Sequence, residues 1–269
     1  MPEAFALPEF QFREKSLEEK VVLLAGGSGG LGAAAAFLLA REGARLLIGY
    51  RSNRPRAQLL QKALRDLGAR IELIEGDLNQ AGVIEEYIRR AVTLGPLSGV
   101  VIFAGDPARA TASEASTAEA EAERMQHSWK MNFLGPYQLA RRAAQEMVAQ
   151  GTAGNIVLIA TMQAIAPFEK SVPYAAPKAA LVHAARVLAY EFGGANNIGI
   201  NIISPGVTTA GMAAASVASG KYERFLQTGV IPRYGRAEDI ARAVRLLLEP
   251  DSYITGQVII VDGGLTLRR

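Results

Sequence analysis

The chain has 269 residues, 49% hydrophobic and 20% charged, with a formal net charge of +3, a balance that suits a fold with a substantial buried core. The absence of cysteine excludes disulfides, thiolate nucleophiles and cysteine-held zinc, and two histidines, His127 and His183, leave little for a metal centre or a Ser-His-Asp triad, so no metal is expected. No run of five like charges points to nucleic acid and no apolar run reaches the length of a bilayer span, so neither partner is expected.

Residues 1–18 carry Glu3, Glu9, Arg13, Glu14, Lys15 and Glu18, which is incompatible with the apolar core of a secretory leader and points to a cytoplasmic protein. They read as an arm ahead of a single domain over 19–269. Val21–Leu24 is a short apolar run ending in glycines, as a buried parallel strand requires. An Ala-rich helix over Leu31–Arg41 follows. Then come a strand over Arg45–Gly49, a helix over Arg56–Leu67, a strand over Ile71–Ile74, a helix over Val83–Val92 and a strand over Val100–Ala104. Glu114–Ala149 is helix-rich. A strand over Ile156–Ala160, a helix over Tyr174–Phe192, a strand over Ile200–Ser204, a helix over Ala237–Leu248 and a strand over Val258–Val261 complete the series. Apolar strands alternating with helices, on connections too long for hairpins, predict an α/β fold. It is a single Rossmann-type doubly wound parallel sheet of about seven strands with helices on both faces.

The segment Ala25-Gly26-Gly27-Ser28-Gly29-Gly30-Leu31-Gly32 joins the first strand to the first helix. Glycines there permit a tight turn, close approach of backbone N–H groups to a pyrophosphate, and close packing of helix on strand. Their spacing is Gly-x3-Gly-x-Gly rather than the Gly-x-Gly-x2-Gly of the common dinucleotide fingerprint. The second strand ends without an Asp or Glu to accept from a ribose 2′-OH; it offers Arg51, Ser52 and Arg54 instead. A guanidinium can fork onto a 2′-phosphate, so NADP(H) is favoured over NAD(H).

Further on, Tyr174 and Lys178 stand four apart, on one face of the expected helix. A nearby ammonium lowers a tyrosine pKa from its ordinary value of about 10, which would ready the hydroxyl for acid–base work. Pro177 between them is tolerable within a first helical turn.

In their order along residues 20–265, these motifs resemble those of the short-chain dehydrogenase/reductase family, with a pattern similar to the 3-oxoacyl-thioester reductases. The resemblance implies that Gly26, Ser28, Gly30, Leu31 and Gly32 hold the cofactor phosphates. Asp77 and Leu78 would lie along the adenine, and Ala104 and Gly105 would face the cofactor. It implies that Pro205, Gly206, Val207 and Thr208 flank the nicotinamide, with Thr208 or Thr209 on the pyrophosphate. Tyr174 would be the acid, Lys178 its partner and the ribose ligand, and Asn132 part of a proton relay. The family's active-site Ser falls, counting back from the Tyr, on Thr161, and its Asn-Asn-Ala-Gly is here Ile102-Phe103-Ala104-Gly105. The expected activity is NADP(H)-dependent reduction of a ketone or 3-oxoacyl carbonyl to an alcohol, with a substrate lid around 208–230. The two departures keep a catalytically silent, cofactor-binding subunit or sensor as the alternative. The resemblance also implies self-association through the helix that begins near Tyr174, which Leu181, Val182, Val187, Leu188 and Phe192 make apolar on more than one face, as a homodimer or homotetramer.

Overall fold

A computed structural model describes residues 15–108 and 117–268. Its strands are β1 (Val21–Ala25), β2 (Arg45–Tyr50), β3 (Ile71–Glu75), β4 (Leu97–Ile102), β5 (Gly154–Ile159), β6 (Ile198–Pro205) and β7 (Val258–Val261). Among the described residues they form a seven-stranded sheet in the order β3-β2-β1-β4-β5-β6-β7, parallel at every pairing. The reversal of strand order between β1 and β4 opens a crevice at the carboxyl ends of these strands, where α/β sheets bind ligands.

The longer helices are α1 (Gly30–Arg41), α2 (Arg54–Arg65), α3 (Val83–Val92), α4 (Ala118–Trp129), α5 (Gly135–Ala149) and α6 (Val172–Phe192). The short α7 (Ala214–Ala218) and α8 (Glu223–Gln227) follow, then α9 (Ala237–Leu247) and α10 (Leu265–Arg268). Every residue of β1 is buried, because helices cover both faces of a central parallel strand. Val21 and Leu23 pack with α3, α5 and α6 residues such as Ile88, Leu139 and Leu181; Val22 and Leu24 pack with α1 and α9 residues such as Leu39 and Val244. Fully burying each such aliphatic side chain stabilises the fold by about 1.5–3 kcal/mol.

Several boundaries differ from the sequence reading; among the strands, β4 runs Leu97–Ile102 rather than Val100–Ala104. The arm does not end at residue 18: Leu17 is buried, and the Ser16 hydroxyl and backbone N–H both donate to Glu42, so 15–18 already pack on the body. Residues 1–14 lie outside the described residues, as does the expected helix start at Glu114. The helix of Tyr174 begins at Val172, with Pro173 in its first turn, which places Pro177 inside the helix at the loss of one backbone hydrogen bond. Between α4 and α5 the chain forms one π-helical stretch, Lys130–Leu134, and Asn132 sits at its centre.

Candidate active site

The glycine loop is shaped by close approaches. Gly26 has φ +76°, a left-handed conformation, and a Cβ on it would stand 3.0 Å from the Ala104 backbone nitrogen. A Cβ on Gly32 would meet the Gly26 carbonyl oxygen at 2.7 Å, and one on Gly30 the Gly211 nitrogen at 2.6 Å. The amino end of α1, starting after Gly29, has no side-chain cap, so its first-turn N–H groups face the cleft without an internal acceptor from that residue.

That cleft, of about 300 Å³, follows the carboxyl ends of the strands. Arg51, Ser52, Asp77 and Leu78 line it beyond β2 and β3; Gly26, Ser28, Gly30, Leu31, Gly32, Ala104 and Gly105 beyond β1 and β4; Tyr174 and Lys178 beyond β5. The residues fit a dinucleotide, since the uncapped amino end of α1 offers backbone N–H donors to a pyrophosphate and the glycine loop lines the cleft beside it. Gly211 and Met212, inside the segment expected as a substrate lid, also line the cleft, with Gly211 at φ +68°.

At the β2 end the three polar candidates separate. Arg54 donates to the Glu75 carboxylate (3.1 Å from Nη2) and to the Tyr50 hydroxyl (3.1 Å from Nε), and Tyr50 in turn donates to Glu75 (3.0 Å). Arg54 is therefore taken up by Glu75, its partner across neighbouring strand ends, rather than offered to a ligand. Arg51 has no carboxylate partner among the described residues; its contact is with the Met131 sulfur at 3.9 Å. Asp77 is folded into a local turn, accepting from the Asn79 backbone N–H at 2.9 Å.

At the other end, Thr161 lies just past β5, its hydroxyl accepting from the Gln163 backbone N–H at 3.3 Å and standing near the hydroxyl of the half-buried Tyr174. Burial pushes the Tyr174 hydroxyl up to about 12; the Thr161 hydroxyl opposes that rise, and the negative charge of Asp106 adds to it. The expected lowering by Lys178 is absent, for a physical reason. Lys178 is 2% exposed, donates to the Ile159 carbonyl at 2.8 Å, and is itself driven down to about 7 by burial, so its ammonium is a weak source of positive charge at neutral pH.

Asn132 is fully buried and its side chain is fully engaged. Its Oδ1 accepts from the Asp106 N–H (3.0 Å), and its Nδ2 donates to the Asp106 carbonyl (2.8 Å) and to the Ser128 hydroxyl (2.9 Å). Asn132 thus clamps the main chain just after Gly105, whose added Cβ would meet Asn132 Oδ1 at 2.8 Å and Lys178 Nζ at 3.3 Å. No strand-bracing Asn follows β4. The ladder there is carried on by the backbone, with Phe103 N–H donating to the Ala25 carbonyl at 2.8 Å.

A second cavity of about 590 Å³ adjoins the first, and Leu31, Ile159, Ala160, Tyr174 and Met212 line both. Thr161, Pro205, Gly206, Val207 and Thr208 line this second cavity and not the first. The Thr208 hydroxyl donates to the Ala210 carbonyl at 2.9 Å, and Thr209 donates weakly to the Gly235 carbonyl. Each hydroxyl thus donates within the protein, Thr208 inside its own turn and Thr209 to the Gly235 segment. Segment 211–227 packs beside this cavity through an apolar cluster of Met162, Val207, Phe225, Ile231 and Leu265. Among the described residues no cluster of His, Asp and Glu could hold a metal ion, and no helix is long and apolar enough to cross a membrane.

The doubly wound sheet and its crevice define a dinucleotide-binding type of fold. Residues 25–266 match the family model described as enoyl-(acyl carrier protein) reductase. A short-chain dehydrogenase/reductase, FrzI, from Cladobotryum sp is 32% identical over 258 residues, spanning 93% of this chain and 97% of its own. A 3-oxoacyl-[acyl-carrier-protein] reductase from Aggregatibacter actinomycetemcomitans is 29% identical over 252 residues, 91% of this chain and 99% of its own. The structure of an actinorhodin polyketide ketoreductase variant with NADPH superposes with a TM-score of 0.81 at 25% identity, covering 93% of this chain and 98% of that one. The chain belongs to the short-chain dehydrogenase/reductase family, oxidoreductases of carbonyl and alcohol groups that bind a nicotinamide cofactor.

Proposed function

We propose that this protein is an NADP(H)-dependent reductase of ketone or 3-oxoacyl carbonyls. The observation that carries the reading is Tyr174, which lines both cavities where they meet, with Thr161 lining the second and the buried Lys178 one helical turn away. When bound, the reduced nicotinamide supplies the hydride. Tyr174 donates its proton to the carbonyl oxygen, and its raised pKa keeps that proton in place at neutral pH. Thr161 directs the same oxygen through its hydroxyl, so that donors already stand where alkoxide charge develops. Lys178 holds the ribose hydroxyls, and, titrating near neutrality, takes part in returning the proton to Tyr174. Asn132 fixes the Gly105–Asp106 segment against this group.

The 2′-phosphate falls to Arg51 and Ser52, which line the cleft, while Arg54 neutralises Glu75 and so removes a carboxylate that would repel it. The NADPH-bound polyketide ketoreductase and the 3-oxoacyl reductase among the relatives support the cofactor and the substrate class. So does the apolar packing of segment 211–227, read as the lid of the substrate cavity. The functional unit is a homodimer or homotetramer formed through α6.

The test is NADPH consumption on a panel of ketones and acyl-thioesters. Wild type turns over at least one, and Tyr174→Phe loses about 100-fold or more while still binding NADPH. Full turnover by Tyr174→Phe would remove the assigned acid. Tight NADPH binding with no turnover on any substrate would favour a silent subunit, the reading that Thr161 in place of the family's Ser keeps open.

A further inference from the structure

Met131 has no part in the reading above, yet it joins the two walls of the cofactor cleft beyond β2 and β3. It is half-buried, lies in the π-helical stretch Lys130–Leu134 and lines the same cleft as Arg51 and Asn79. From one wall the Asn79 amide donates to its sulfur at 3.3 Å, and from the other the Arg51 guanidinium does so at 3.9 Å. Asn79 is itself held. Its amide also donates to Asp77 at 3.1 Å, and a Cβ on Gly135 would stand 3.2 Å from its oxygen, so the missing side chain at the start of α5 lets it pack close. The neighbouring Asn132 anchors the π-helical stretch, fully buried and bonded to both the N–H and the carbonyl of Asp106. The Met131 sulfur is thus placed by groups other than Arg51, whereas Arg51 is exposed and has no carboxylate partner among the described residues. A thioether is a weak, polarisable acceptor, able to bias a long side chain and to yield it to a phosphate, which binds a guanidinium far better.

We propose that Met131 is a positioning residue for cofactor specificity: its sulfur, braced by Asn79, holds the Arg51 guanidinium at the cleft and so favours a dinucleotide with a 2′-phosphate over one without. This rests on the reading of Arg51 as the group that takes the 2′-phosphate. Ordering an arginine beforehand removes part of the side-chain entropy that binding would otherwise cost. Only a ligand that uses the guanidinium gains from that ordering, so the effect falls on NADP(H) and passes over NAD(H).

Dissociation constants for NADP+ and NAD+ are measured by isothermal titration calorimetry on wild type and variants, with no turnover involved. Met131→Leu conserves volume and apolar character and removes the acceptor. It is expected to weaken NADP+ about 3- to 10-fold, the worth of one modest hydrogen bond, and to leave NAD+ within about twofold of wild type. Met131→Gln restores the preference, because its amide oxygen accepts from the same two donors. In an Arg51→Ala background Met131→Leu has no further effect on NADP+, since the side chain it orders is gone. An equal loss for both cofactors, a loss that persists in the Arg51→Ala background, or a Gln variant no better than Leu makes Met131 a packing residue and overturns the proposal. Should Met131→Leu fail to fold, Asn79→Ala at an exposed position removes the brace instead; it lowers the same preference, and an unmoved preference counts against the proposal equally. If Arg51→Ala leaves the preference for NADP+ unmoved, the phosphate reading and the proposal fall together. If Arg51→Ala lowers it and Met131→Leu does not, the proposal falls alone.

Discussion

At position 51 the guanidinium is set apart by what its neighbour does. Two arginines follow β2, and composition cannot rank them; the structure does, because Glu75 at the end of β3 captures Arg54 and leaves Arg51 without a carboxylate partner among the described residues. Arg51→Ala is therefore expected to raise KM for NADPH about 10- to 100-fold, the worth of charge-assisted hydrogen bonds to a phosphate, with KM for NADH little changed. Steady-state kinetics with both cofactors checks it, and an equal effect on the two would remove Arg51 from the phosphate site. The Tyr174–Lys178 spacing was legible in the same way, as two residues on one helical face, but their titration was not. Burial decides it: it raises the one to about 12 and lowers the other to about 7, and burial is a property of the packed chain.

Among the elements, α9 shows how a short-range sequence signal is completed by a neighbouring loop. Asp239 lies in its first turn, accepts from the Arg236 backbone N–H at 2.8 Å, and is forked by Arg233 at 2.6 and 2.9 Å. The Arg233 hydrogen bonds outweigh desolvation and hold its carboxyl down to about 2. Because the folded pKa is depressed, the unfolded chain takes up the proton first on acidification. The stabilisation is present above about pH 4 and is lost as pH falls through about 2. Asp239→Asn is expected to cost about 1–2 kcal/mol at pH 7 and progressively less below pH 4, measured as the difference in urea midpoints. The identities of the strands and longer helices were legible, since apolar periodicity and glycine punctuation are local, whereas the short α7, α8 and α10 were not. The π-helical stretch at Asn132 was not legible, and neither was its side chain's pairing with the Asp106 backbone, 26 residues away.

For the molecule as a whole, α6 buries Leu181, Val182, Ala185 and Leu188 against the sheet and leaves Val187 and Tyr190 on the outside, the latter 91% exposed. These two exposed hydrophobic side chains, beside the exposed His183, Arg186 and Glu191, are the basis for proposing self-association. Light scattering of the wild type is expected to give a dimer or tetramer mass, and Val187→Glu to reduce it; a monomeric wild type would defeat the proposal. By itself the sequence determined the alternation of seven strands with helices, the glycine loop after the first strand, and the order in which Asn132, Thr161, Tyr174 and Lys178 arrive. All of these rest on local spacing and on burial pattern. Only the tertiary structure decided that Arg54 answers Glu75, that Asn132 clamps Asp106, that Lys178 bonds Ile159, and that Gly211 closes over Gly30. Those pairings join segments far apart in the chain, and the sheet's strand order, not any local rule, brings them within reach.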